Sequence, residues 1–412
     1  MKNFFFIKLF FIYSFSLIYA QTNIKVMTYN VLHFPNDIDG IDRKEDLRYI
    51  LQDYQPDIFS VCELNDENGA DIILDYCLET PDNKYSAAVF EYNHSGNYPD
   101  LNNMFYYNNQ KFELVNQTYI LTYLRDINRY TLKLITPDTS QEYYIEVYVA
   151  HLKASEGTDN EDKRLSMVEE FTNDLANIPP DHFVIFTGDF NMYDSYEPAY
   201  QEIIDTTNAI VMKDPLGEEG VGNWHNNSSF TLYHTQSTHT VSEDDYVGGG
   251  LDDRFDIIFL SQNFFSSTSP LKYIQGSYSA YGNNGDCFNK KINDASCTGD
   301  FSLETRNHLY NMSDHLPITA QLEFDGLLTA ETYSRINIFI NEGMPVTNHL
   351  SFNGDIEPGT KLEIFDMSGK QIFSIDPYEK NRRISVTHLK KGIYFAKFNQ
   401  QNNTKIIRFI KG

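Results

Sequence analysis

The chain has 412 residues, 41% hydrophobic and 15% aromatic (29 Tyr, 30 Phe), with a net charge of −26. That length favours two folded units plus extras, and the apolar content suffices for a large core. Charge is uneven: residues 361–412 hold 11 Lys/Arg against 4 Asp/Glu, while residues 1–360 hold 21 against 54, or −33. So acidic a body is poorly suited to holding a polyanion by charge alone, although divalent cations could bridge it to phosphate.

The first 20 residues, "MKNFFFIKLFFIYSFSLIYA", carry an early lysine, an apolar stretch broken only by Lys8, and a small residue at Ala20. This pattern predicts a secretory signal peptide over 1–20, although Ile18 is large for a cleavage site. No later segment is long and apolar enough to span a bilayer as a helix.

From residue 24 short strand-like runs alternate with helix-like ones. "IKVMTYNVL" (24–32) and "IFSVCEL" (58–64) read as buried strands, with the helical spacing of "RKEDLRYILQDYQ" between them and Pro56 ending it. "NMFYYNN", "YTLKLIT" and "YYIEVYVAHL" follow as strands, and "EDKRLSMVEEFTNDLANI" as an amphipathic helix halted by Pro179 and Pro180. "HFVIF" (182–186) is another strand, which the chain is expected to leave through a tight turn at Gly188. A helix-like "SYEPAYQEIIDTT" and the strands "DRFDIIFLS" and "LPITAQLEF" complete this part. Residues 262–313, polar and rich in Gly, Asn and Ser, read as a long loop region. Within them Cys287 and Cys297 would suit a local disulfide in an oxidising compartment, or stay free thiols. Cys62 reads as a core thiol, and whether it pairs with Cys77 is open. Strands outnumber helices, which predicts a layered α/β sandwich rather than a strictly alternating parallel sheet. After residues 325–333 the chain becomes short strands joined by turns, a small all-β module.

Several strand ends carry polar residues: Asn30, Glu63, His151, Asp189 with Asn191, Asp256, and the pair Asp314–His315. Each alone is ordinary turn or cap chemistry. Together they supply what metal-assisted phosphoester hydrolysis requires. Glu63, the Asn30 amide oxygen and Asp314 are hard ligands suited to magnesium. His315 held by Asp256 can take a proton from water near neutral pH. His151 and Asn191 can donate to charge developing on the phosphate.

Six stretches, "MTYN", "VCEL", "VAHLKAS", "TGDFN", "RFDIIF" and "MSDHLPI", occur in this order over residues 24–324. In this the chain resembles the endonuclease/exonuclease/phosphatase superfamily, which includes deoxyribonuclease I. The resemblance implies a four-layer α/β/β/α sandwich over 21–324 with an active site at one rim. It implies Asn30, Glu63 and Asp314 as metal ligands for Mg2+ (Mn2+ or Ca2+ as alternatives). It implies Asp189 and Asn191 as groups positioning nucleophile and phosphate, His315 oriented by Asp256 as base, and His151 as a phosphate-contacting or acid histidine. Arg129 in "NRYTLKL" matches a phosphate-contacting arginine, and Asn103 is a candidate to orient His151. Residues 334–412, with "KLEIFDMSGKQI", "ISVTHLKKGIYFAKF" and "TKIIRFIKG", resemble the C-terminal sorting domain of type IX secretion, which implies that machinery as partner.

The expectation is therefore a secreted, monomeric, Mg-dependent phosphodiesterase acting on extracellular nucleic acid. The acidic body, with no basic stripe, keeps a sphingomyelinase-like or phosphomonoesterase activity as the alternative on the same fold. A non-catalytic surface or adhesin protein is the alternative of another class.

Overall fold

The computed structural model describes residues 22–36, 38, 40, 42–136, 140–243, 245–326, 338–340, 345–354, 356–367, 369–400 and 403–412. The expected signal peptide and residues 327–333 of the expected linker lie outside them. The chain divides into two compact units, Met1–Glu331 and Thr332–Gly412.

In the first unit the chain runs β1 (Thr22–Phe34), α1 (Lys44–Tyr54), β2 (Ile58–Leu64), α2 (Glu67–Ile72), β3 (Tyr85–Ala87), β4 (Asn102–Asn108), β5 (Phe112–Ile120), β6 (Ile127–Leu134) and β7 (Tyr144–His151). It continues through α3 (Thr158–Asp174), β8 (Phe183–Asp189), α4 (Pro198–Ile203), β9 (Met212–Lys213), β10 (Asp256–Ser261), β11 (Leu271–Tyr273), β12 (Ser279–Ala280), α5 (Leu303–Met312) and β13 (Ile318–Phe324). One sheet has the order β11-β13-β1-β2-β4-β3, with β12 also on β13; the other is β5-β6-β7-β8-β10-β9. Parallel neighbours need a crossover, and α1 and α3 supply it for β1–β2 and β7–β8.

Alternating side chains build four layers. Ile24, Val26 and Ile58 of the first sheet meet Val147, Val149, Ile185 and Ile258 of the second in one inter-sheet core. The opposite parity of the first sheet, Met27, Tyr29 and Val61, packs against Leu47, Ile50 and Leu51 of α1 and Leu309 of α5. Tyr148, Val184 and Phe186 on the outer face of the second sheet pack against Met167, Val168 and Phe171 of α3. The result is the expected α/β/β/α sandwich.

Two local expectations need correction, and one strand was not foreseen. Residues 262–313 are not a bare loop: they contain β11, β12 and α5, whose start is capped by the Ser302 side chain accepting from Thr305 N. The loop reading came from polar composition, but α5 buries only a narrow face. The edge strand β5, "FELVNQTYI", is half exposed and has too few apolar residues to stand out. The chain does not leave β8 at Gly188 either: Gly188 pairs with Ala150 and Ile257, and the strand runs on to Asp189. Cys287 and Cys297 form a disulfide, whereas Cys62 and Cys77 are both free and buried.

The second unit is all β. It holds β14 (Ile338–Ile340), β15 (His349–Leu350), β16 (Phe352–Gly354), β17 (Lys361–Asp366), β18 (Gln371–Ile375), β19 (Ile384–Ser385), β20 (Gly392–Gln400) and β21 (Asn403–Lys411). A four-stranded sheet, β18-β17-β20-β21, packs Leu362, Ile364, Phe398 and Phe409 with Leu350 and Phe352.

Candidate active site

The inward-facing columns of four strands all end in polar residues at one rim. Ile24, Val26 and Thr28 lead to Asn30; Ile145, Val147 and Val149 lead to His151; Phe183, Ile185 and Thr187 lead to Asp189; Leu260 and Ile258 lead back to Asp256. Register aligns them, because His151 pairs with Asp189 across β7–β8 and Asp189 with Asp256 across β8–β10. Thr28 and Thr187 hydrogen-bond across the sheets at 2.7 Å, just beneath this polar row.

Glu63 is the exception to parity. After the inward Cys62 it would face outward, but its φ of +57° breaks the alternation and turns the carboxylate to the rim. Leu32, His33 and Asn191 also have positive φ, so left-handed backbone gathers around the site. The Asn30 Oδ1 accepts from Leu32 N at 3.1 Å, and Arg43 donates to the carbonyls of Val31, Leu32 and Met312. These bonds brace the end of β1 against the end of α5.

The side chains meet closely. Asn30 Nδ2 donates to Glu63 Oε1 at 2.9 Å and to Asp189 Oδ2 at 3.0 Å. His151 Nε2 lies 3.6 Å from both Glu63 Oε1 and Asp189 Oδ2. His315 Nδ1 bonds Asp256 Oδ2 at 2.7 Å, and its Nε2 lies 3.7 Å from Asp189 Oδ2. Asn191 N donates to Asp189 Oδ1, and Asn191 Nδ2 to Leu152 O. Asp314 is bound differently: its Oδ2 accepts from Val247 N at 3.1 Å and Gln236 Nε2 at 3.3 Å, and the Glu63 charge acts on it.

Burial shapes the protonation. Burial, reinforced by Asp256 and Glu63 and opposed by His315, pushes Asp189 up to about 7. Burial likewise raises Asp314 to about 6. Burial and the neighbouring Arg125 hold His151 well below the usual histidine range. Burial would lower His315 too, but the Asp256 and Asp189 carboxylates outweigh it and make this imidazole the more basic.

Among the described residues, two sets of side chains at the rim could hold a metal, Glu63–His151–Asp189 and Asp189–Asp256–His315. A third set, Asp286–Cys287–Cys297, offers no thiolate because its cysteines are bonded to each other. At the rim, Asp256 Oδ1 and Asp314 Oδ1 are buried with no hydrogen-bond partner. Four carboxylates beside two imidazoles, with unpartnered oxygens among them, fit a hard divalent cation.

Two expected residues do not make the expected contacts. Arg129 sits on β6 with the outward parity, where its NH1 bonds Asp174 Oδ2 at 2.7 Å at the end of α3. It does not reach the rim. The arginine that does is Arg125, four residues earlier, whose Nε donates to His151 O at 2.7 Å and whose NH2 donates to Leu152 O. Asn103 does face inward, but its NH2 donates to Asp126 O, Asn128 Oδ1 and Val149 O, and His151 Nδ1 has no hydrogen-bond partner. Sequence reading also missed His33, 3.8 Å from Glu63, whose left-handed backbone and the register shift at the end of β1 break the alternation, and Gln236, which lies in an irregular segment outside the named strands.

Residues 344–412 match the family model of the secretion system C-terminal sorting domain. The tail marks the chain for export by type IX secretion. Among the described residues, no helix is long and apolar enough to cross a membrane. A search of curated proteins finds no significant match. Among solved structures, the chain is similar to D. rerio TDP2 complexed with a single-strand DNA product, at 16% identity and a TM-score of 0.47, covering 73% of this chain and 99% of that one. It is similar to the human Nocturnin catalytic domain with bound sulfate, at 19% and 0.47, covering 74% and 96%. It is similar also to an endonuclease/exonuclease/phosphatase from Bacteroides vulgatus, at 16% and 0.48, covering 74% and 99%.

Proposed function

We propose that the first unit is a secreted, divalent-metal-dependent phosphoester hydrolase, with a phosphodiester of extracellular nucleic acid as substrate. The observation that carries this reading is the Asp256–His315 pair, whose Nε2 faces Asp189 3.7 Å away, one strand from His151. In this reading Asp256 holds the Nδ1 proton of His315, and His315 takes a proton from a water steadied by Asp189. Asn191 and His151 donate to the phosphate oxygens as charge builds on them. Glu63, the Asn30 amide oxygen and Asp314 would hold a magnesium ion, which when bound neutralises charge on the phosphate. As described, the Asn30 NH2 is directed at two carboxylates, so its amide must turn for the oxygen to ligate. Arg125 braces the His151–Leu152 backbone from below. A cleaved signal peptide ahead of residue 21 would take the chain to the periplasm before the tail is read.

The net charge of −33 over residues 1–360 favours a second reading, a small or lipid phosphoester such as sphingomyelin, because a polyanion is repelled. The test assays the full chain and its His315→Ala variant on plasmid DNA, RNA, sphingomyelin and a small phosphomonoester, each with magnesium and with EDTA. Magnesium-dependent cleavage absent from the variant is the expected result, and the preferred substrate separates the two readings. A folded chain that neither cleaves nor binds magnesium would leave a non-catalytic surface protein.

A further inference from the structure

The pairing of β1 with β2 is broken at the rim. Asn30 pairs with Cys62 and Phe34 with Leu64, so Val31, Leu32 and His33 of β1 stand opposite Glu63 alone. Leu32 and His33 have φ of +43° and +54°, and Glu63 has +57°. Residues other than glycine adopt this backbone rarely, and bulges that force it re-aim side chains beside functional sites. Here the bulge and the kink at Glu63 turn two side chains toward each other. His33 Nε2 lies 3.8 Å from Glu63 Oε2.

That separation is too long for a hydrogen bond. His94, His182, His225, His308 and His315 each meet a carboxylate through Nδ1 at 2.7 to 2.9 Å. Around Glu63 the imidazoles stand off instead, His151 Nε2 at 3.6 Å from Oε1 and His33 Nε2 at 3.8 Å from Oε2. Two donors bonded to one ion at about 2.1 Å each can stand up to ~4.2 Å apart, so an ion fits these gaps. Among the described residues, neither ring nitrogen of the partly exposed His33 has a hydrogen bond, and neither has Glu63 Oε2. The Asn30 amide presents its NH2 to Glu63, and its oxygen is taken by Leu32 N. The donors facing Glu63 across open gaps are therefore imidazole nitrogens. Magnesium prefers oxygen ligands, whereas a mixed imidazole and carboxylate set favours first-row transition ions.

We propose that His33 is a metal ligand beside Glu63, and that its nitrogen makes the site take manganese in preference to magnesium. This rests on the metal-dependent hydrolase reading above and deepens it by naming the ion.

The test uses the full chain with His33→Asn and His33→Gly, two substitutions that tolerate left-handed backbone. Free manganese is followed by its EPR signal and magnesium by competition against it. Pulsed EPR on chain carrying nitrogen-15 histidine reports which imidazoles touch bound manganese. The unsubstituted chain should bind manganese about tenfold more tightly than magnesium and show imidazole coupling. In both variants manganese should bind about tenfold more weakly, with the coupling diminished and magnesium affinity within threefold. A loss that falls equally on the two ions would show that His33 only braces the end of β1, and would overturn the proposal. So would a His33→Asn chain that keeps its manganese affinity within twofold and its full coupling. Either result leaves the hydrolase reading intact. A folded chain that binds neither ion and cleaves no phosphoester would overturn both. Should His33→Gly not fold, His33→Asn decides alone.

Discussion

His151 and Asp189 are partners in register on the parallel strands β7 and β8, and their side chains meet with Nε2 3.6 Å from Oδ2. Neighbours that are paired in a sheet share a face, so both end inward-facing columns at the same height. Asp256, paired with Asp189 from the other side, completes a row of three across the strand ends. A one-residue slip of β8 would turn Asp189 outward and dismantle the row.

Gly188 protects that register. Its φ is +145°, and a Cβ built there would lie 1.8 Å from Ala150 O. Nothing can yield, because the obstacle is the backbone of the neighbouring strand. Gly188→Ala should lower the unfolding free energy by roughly 3 kcal/mol or more, or prevent soluble expression. Urea unfolding measures this, and a loss under 1 kcal/mol would show that β7 and β8 separate easily at that point.

The clustered carboxylates make metal binding visible without any reaction. Ten millimolar magnesium should raise the melting temperature of the full chain, by the mass-action gain of a ligand that binds only the folded state. Glu63→Gln, which removes one charge from the rim, should shrink that rise by more than half. An unchanged rise would place the cation somewhere else.

The two arginines should separate cleanly. Arg129→Ala breaks an ion pair to Asp174 outside the rim, and is expected to cost about 1 kcal/mol in stability with kcat/KM within threefold. Arg125→Ala removes the brace from His151 and Leu152 and should lower kcat/KM at least tenfold. Steady-state kinetics on the preferred substrate, beside thermal melts, would reverse this assignment if Arg129 proved the costly one.

Acid should erode the stability contributed by two buried histidines. Burial holds His234 down to about 4, against partial help from its bond to Trp224 O, and burial also holds His239 to about 4. A free histidine titrates near 6.5, so between there and 4 the unfolded chain takes up protons that the fold refuses. The stability these two histidines contribute is thus full above about pH 6.5 and lost as pH falls toward 4, by at most ~3 kcal/mol each, against an opposite contribution from Asp189 and Asp314, which the fold protonates sooner than the unfolded chain does. Unfolding curves at pH 7.5, 6 and 5 measure the slope, and His234→Gln should flatten it. An equal slope in the variant would assign the acid limb to other groups.

Much of this site is readable from strand periodicity alone. Asn30, His151, Asp189 and Asp256 all fall on the parity of a buried apolar column, so "VMTYN", "YVAH", "FTGD" and "RFDIIF" announce both face and end. Glu63 lies on the wrong parity, and only its left-handed backbone brings it in. Arg129 looked suitable by residue type, yet parity sends it to the outer layer and leaves Arg125, in a turn, to reach the rim.

Local patterning thus determined the strand columns, the polar residues that end them and the β-rich tail, because alternation and composition act over a few neighbouring residues. Tertiary structure decided which columns meet at one rim, since that depends on register between strands up to hundreds of residues apart. It also decided that Gln236 lies on His315, 79 positions away in sequence. Such a contact is made by two loops folding over the same strand ends, and no short-range pattern in the chain encodes it.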